Sequence, residues 1–191
     1  ELFQQTSAPA PSAPGSAFAA DVICRAKQKI LIVRDLFSSL VASSLIENET
    51  ADSLRSALIL LLLPLKRLDH ATVTTDAAPG FQSLTGDTIL QDQGISLDVF
   101  RIKAREKNPT AEKTVQELEE EIRRLCPKET PISPVLLAQA TATLNNRLRT
   151  QGLSAKEIFN RRDQFSGEAL NFSDTSHASA KAQLKRANHP A

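Results

Sequence analysis

The sequence contains no Met, Trp or Tyr, and only two Cys and three His. With no Trp or Tyr, and with eight Phe that read as core or linker residues, stacking on aromatic side chains is not the expected mode of contact with a nucleic acid. Cys24 and Cys126 belong to no CxxC pair and read as buried, inert side chains. Neither a disulfide framework nor a thiolate zinc site follows from them, and a reducing compartment is the default. The longest apolar run, residues 57–65, is interrupted by Pro64 and falls far short of the roughly 20 residues that a membrane span needs. No charged start followed by an apolar stretch marks a signal peptide. A chain that begins at Glu1 and lacks Met reads as a piece cut from a longer polypeptide.

What is present is an ordinary globular composition, 41% hydrophobic and 24% charged, at a length that suits one domain. The net charge of +1 is unevenly spread. Residues 147–191 carry eight Lys/Arg against four Asp/Glu, whereas residues 1–146 are net acidic. A basic tail on a slightly acidic core fits a polyanionic partner, and fits a merely solvated tail equally well.

Residues 1–17, rich in Ala, Pro and Ser, read as a linker. Three short strands follow: FAADVICRA from residue 18, KILIVRDLF at 29–37 and LVASSLI at 40–46. The continuous ILIV run suits a strand buried on both faces, and the close succession suggests an antiparallel meander. Thr50 is placed to cap a helix that carries Leu54, Leu58, Leu61 and Leu62 on one face and stops at Pro64. ATVTT at 71–75 is a fourth strand, a helix is expected from about 81 to 91, and ISLDVF at 95–100 is a fifth strand. A long helix is expected over about 110–125, another over 135–148, and a short one over 154–162 with Ser154 and Glu157 forming a capping box. The pattern is α/β: a mixed five-stranded sheet flanked by helices, followed from residue 166 by a polar tail.

Three carboxylates occupy positions where such sheets carry ligands. Asp21 is in the first strand, Asp76 ends the fourth, and Glu112 follows the fifth at the start of the long helix. Pro109 disfavours helical geometry at Asn108 and favours a helix start, so Glu112 falls in a rigid first turn. If the first and fourth strands are neighbours, Asp21 and Asp76 come side by side, and three converging carboxylates would need a hard divalent cation such as Mg²⁺. On position alone the plainer alternative stands beside this one: Asp76 caps a turn and Glu112 favours the helix dipole.

The local contexts carry more information. TTDAAPGFQSL around Asp76 resembles the TDxGxxF-type segment of retroviral and retrotransposon integrases, and NPTAEK resembles the segment that bears their third acidic residue. The 35 residues between Asp76 and Glu112 match the D,D-35-E spacing. FAADVI and KILIVRDLFSS resemble the first two strands of that family, and LNNRLRTQGLSAKEIFNRRD resembles the region after the core in gypsy-like LTR retrotransposons. The resemblance covers residues 18–165, an integrase catalytic core with C-terminal helices; composition adds a linker (1–17) before it and a polar, basic, poorly ordered tail (166–191) after it. Ala77-Ala78 departs from the family's Asn-Gly, and no His/His/Cys/Cys module, β-barrel or chromodomain is evident in this stretch.

The resemblance implies a ribonuclease H-like fold and a polynucleotidyl transferase that trims and joins retroelement DNA ends to target DNA. It implies two Mg²⁺ or Mn²⁺ ions, Asp21 bridging both, Asp76 on one and Glu112 on the other. It further implies DNA and other copies of the chain as partners, no membrane, and action in the nucleus. Independently of it, Arg101, Lys103, Arg105 and Lys107 alternate, so an extended RIKAREK segment aligns them toward phosphates; an ordinary solvated loop is the alternative. Asn108 and Lys113, flanking Glu112, are candidate substrate contacts. Two competing expectations are an inactive or co-opted core that binds nucleic acid or protein, and a ribonuclease H-like nuclease of other specificity, against which the 35-residue spacing argues.

Overall fold

The computed structural model describes residues 11–99, 109–149, 152–171 and 173, and for residues 109–112 the backbone alone. Strands β1 (Ala17–Arg25), β2 (Gln28–Asp35) and β3 (Val41–Ile46) form the antiparallel meander. Helix α1 (Ala51–Leu62) leads to β4 (Ala71–Thr75), which pairs in parallel with β1. Two short helices, α2 (Pro79–Gln82) and α3 (Thr88–Asp92), lead to β5 (Ile95–Val99), parallel to β4. The sheet order is β3-β2-β1-β4-β5. Helices α4 (Pro109–Leu125), α5 (Pro134–Asn146) and α6 (Ala155–Asn160) complete the chain. This is the expected ribonuclease H-like arrangement, a five-stranded mixed sheet between helices.

Strand alternation sorts the sheet residues onto two faces. Phe18, Ala20, Leu31, Val33 and Val73 pack with Leu54, Leu58 and Leu62 of α1 and with Phe81, Leu84 and Leu90. Ile23, Ile30, Ile32 and Val41 pack on the other face with Leu118 and Ile122 of α4 and Leu137, Ala140 and Leu144 of α5. The ILIV run of β2 thus feeds both cores, which is why it shows no polar alternation. Side chains also close backbone ends. Thr50 caps α1, and the Asn145 amide pairs with both the N–H and the C=O of Val41, at 2.8 and 2.7 Å. Arg25 donates to the carbonyls of Cys126 and Lys128, at 2.9 and 2.8 Å, just past the C-terminal end of α4.

Several local expectations need correction. The helix expected over about 81–91 is two helices, because Gly86 takes a left-handed φ of +72° and Asp87 restarts the helix as an N-cap, accepting from the Leu90 N–H at 3.0 Å. Cys24 is exposed rather than buried: β1 runs on beyond its last pair with β4, past the apolar cover of α1. Cys126 is half-buried, and its thiol shares a hydrogen bond with the Thr130 hydroxyl which, with Arg25 nearby, holds its pKa below the usual thiol value. Phe165 is neither core nor linker. It is 84% exposed at the tip of a turn in which the Asp163 carboxylate accepts from the N–H groups of Phe165 and Ser166.

Candidate active site

Asp21 and Asp76 are brought level by register. The β1–β4 ladder ends at the pair Ala20–Thr75, and the next residue on each strand is the acidic one. Neighbouring strands lie about 4.8 Å apart, so the two residues that follow the last pair are neighbours across the end of the ladder. Both continue the line of side chains that faces α4: Asp21 follows Ala19, and Asp76 follows Thr72 and Thr74. Asp21 is half-buried and its Oδ1 accepts the Val22 N–H at 2.8 Å. Asp76 is exposed and its Oδ1 accepts the Ala78 N–H at 3.3 Å, so it does initiate the turn into α2. That turn is braced from below. A Cβ on Gly80 would lie 2.2 Å from the Glu49 carbonyl oxygen and 2.7 Å from Leu54 Cδ1, a contact only glycine allows.

The start of α4 lies over Asp21. A shallow hollow is lined by Ala19, Asp21, Ile32 and Arg34 on the sheet and by Thr114 and Val115 on the helix. Glu112 lies in the first turn of α4, three residues before Val115 and so one turn nearer the helix start. Its side chain is outside the description. Among the described residues no group of three His, Cys, Asp or Glu has metal-holding geometry. Lys113 is exposed at the helix start, whereas Arg101, Lys103, Arg105, Lys107 and Asn108 lie outside the described residues.

Sequence reasoning missed the charged residues that hold α4. Arg34 is only 8% exposed and donates to the Thr114 hydroxyl. Burial, the nearby Arg149 and, in opposition, Glu117 and Asp35 set its pKa, lowered to about 10. Holding it charged at neutral pH therefore costs on the order of 3 kcal/mol. Arg149 grips the Glu117 carboxylate with two bonds of 3.3 and 3.2 Å, and Arg147 bonds the buried Glu121. The available signals were an Arg ending an apolar strand run, and Glu117 and Glu121 spaced one turn apart beside the apolar stripe of α4.

The arrangement of elements is similar to that of the catalytic core domain of BIV integrase, with a TM-score of 0.63 and 18% identity, covering 76% of this chain and 94% of that one. It is also similar to a chain of the simian T-cell lymphotropic virus intasome solved in complex with PP2A regulatory subunit B56 gamma, with a TM-score of 0.69 and 15% identity, covering 86% of this chain and 60% of that one. The sequence matches no family model and no curated protein. At these identities the likeness establishes the fold. The class is a ribonuclease H-like α/β domain, and within that class the fold is that of a retroviral integrase catalytic core.

Proposed function

We propose that this chain is the catalytic core of an LTR-retrotransposon integrase, a polynucleotidyl transferase that processes element DNA ends and joins them to target DNA. The observation that supports the reading is the β1–β4 register: its last pair, Ala20–Thr75, directly precedes Asp21 and Asp76, and the α4 residues Thr114 and Val115, just after Glu112, lie over Asp21. The donor set is all carboxylate oxygen, which fits Mg²⁺ or Mn²⁺ and not a soft-ligand metal. Asp21, Asp76 and Glu112 would hold two such ions. Bound there, the ions supply activation of the attacking oxygen and charge neutralisation at the leaving oxygen.

The protein's own part is placement. Asp21 lies within β1, Asp76 directly follows β4 and Glu112 is in the first turn of α4, so regular backbone carries all three residues. Lys113, exposed beside Glu112, is set to meet a phosphate, and Arg101, Lys103, Arg105, Lys107 and Asn108 would extend that contact along the DNA backbone. The likeness to an intasome chain supports DNA and further copies of this chain as partners. No described helix is long and apolar enough to cross a membrane. Acting on host DNA, the enzyme would work in the nucleus. The core would extend slightly beyond residues 18–165, because Ala17 belongs to β1 and Ala169 bridges to Arg162, with a linker before it and a basic tail after it.

A strand-transfer assay with Mn²⁺ tests the reading. Wild type is expected to form joined product and Glu112→Gln to form none; equal product from both would defeat the assignment. A second reading, an inactive core retained for binding, is favoured by Ala77-Ala78 in the loop that leaves Asp76. Under that reading wild type binds DNA but takes up no Mn²⁺.

A further inference from the structure

Arg34 closes the buried run Ile30–Val33 and is itself buried. A cation in that position is expensive unless its hydrogen-bonding groups are used. The register explains the room it has. Arg34 opposes Ala19, whose small side chain leaves space on the α4 face, and it stands diagonal to Asp21, which opposes Ile32. From there the guanidinium reaches α4 and donates to Thr114 Oγ1, two residues after Glu112. The opposite flank of α4 is held by Arg149 on Glu117 and Arg147 on Glu121. The middle of the helix is therefore anchored to the segment after α5, and its second turn, at Thr114, to the strand beside Asp21.

We infer that Arg34 is a positioning residue: through Thr114 it fixes the height and rotation of the first turns of α4 over β1, and so the separation of Glu112 from Asp21. The inference rests on the metal-site reading above. A ligand displaced by about 1 Å is lost to a preorganised site, whereas the helix itself remains anchored by Leu118 and Ile122. Removing the Arg34–Thr114 bond should therefore loosen the site without unfolding the domain.

The test uses the full chain, with Thr114→Val removing the acceptor at constant shape, Thr114→Ser keeping it, and Arg34→Met removing the donor. Mn²⁺ affinity is read by calorimetry, amide exchange across residues 113–118 by mass spectrometry, and folding by thermal melt. Thr114→Val is expected to bind Mn²⁺ about tenfold more weakly, to exchange faster at the helix start, and to melt cooperatively but lower, as a buried Arg34 donor left without its Thr114 acceptor requires. Thr114→Ser should keep wild-type affinity, and Arg34→Met should match Thr114→Val if it folds. Unchanged affinity and exchange in Thr114→Val overturn the positioning role alone, as does a Thr114→Ser variant as weak as Thr114→Val. A wild type that takes up no Mn²⁺ overturns the metal site and this inference together.

Discussion

Asp21 of β1 and Asp76, the residue directly after β4, each follow the last pair of the parallel β1–β4 ladder, Ala20–Thr75. Among the described residues no Lys or Arg forms an ion pair with Asp76, whose Oδ1 accepts only the Ala78 N–H. On the proposed function, a divalent cation held by both carboxylates would stabilise the folded chain.

The first consequence is a metal-dependent melting temperature. At a free Mn²⁺ concentration about 100 times the dissociation constant, the wild type should gain roughly 2.7 kcal/mol of stability. Asp21→Asn and Asp76→Asn should lose that gain. Differential scanning calorimetry with and without chelator measures all of these.

The β1–β2 hairpin offers a test of local strain. Arg25 pairs with Gln28, so Ala26 and Lys27 form a two-residue loop, with φ of +47° and +67°. Such loops favour Asn-Gly, because side chains are costly in left-handed backbone. Lys27→Gly should stabilise the domain by about 1 kcal/mol, seen as a higher urea midpoint at unchanged m.

The Arg55–Asp87 pair carries a pH signature. The hydrogen bond from Arg55, assisted by the Leu90 N–H, holds the Asp87 carboxyl below its ordinary value of 3.8. A lowered folded-state pKa stabilises fully above the unfolded value and is lost as pH falls through the folded one. Asp87→Asn keeps a capping side chain and removes the ion pair, so it should cost about 0.5–1 kcal/mol at pH 7. That deficit should vanish as pH drops below 3.8, which urea titrations from pH 7 to the acid limit of folding would follow.

For the basic segment, DNA binding should become less salt-dependent as charges are removed. Each of Arg101, Lys103, Arg105 and Lys107 that meets a phosphate contributes about 0.9 to the slope of log affinity against log salt. Single alanine variants titrated between low and physiological salt would show the decrement residue by residue. An unchanged slope in all four would make the segment a plain solvated loop.

Much of the fold was legible in local pattern. The ILIV run, the Leu stripe of α1 and the Ser154–Glu157 capping box each depend on neighbours within one element, and each formed as read. The adjacency of Asp21 and Asp76 was conditional on strand order, which local periodicity does not encode; the β1–β4 pairing supplies it. The break at Gly86 was missed because a single Gly is tolerated inside many helices, and only its φ of +72° marks it as the stop. Arg34, Glu117 and Glu121 were missed for a different reason: a charged side chain reads as solvent-facing unless its partner, here 80 residues away at Thr114 and 26 at Arg147, is already known.

The most direct measurement is anomalous diffraction from crystals of the wild-type chain soaked in Mn²⁺. A manganese peak bound by the carboxylates of Asp21 and Asp76, with Glu112 from the first turn of α4 completing the protein ligands at the site, is the expected result. Density showing Glu112 turned away from an empty Asp21–Asp76 pair at saturating Mn²⁺ would contradict it.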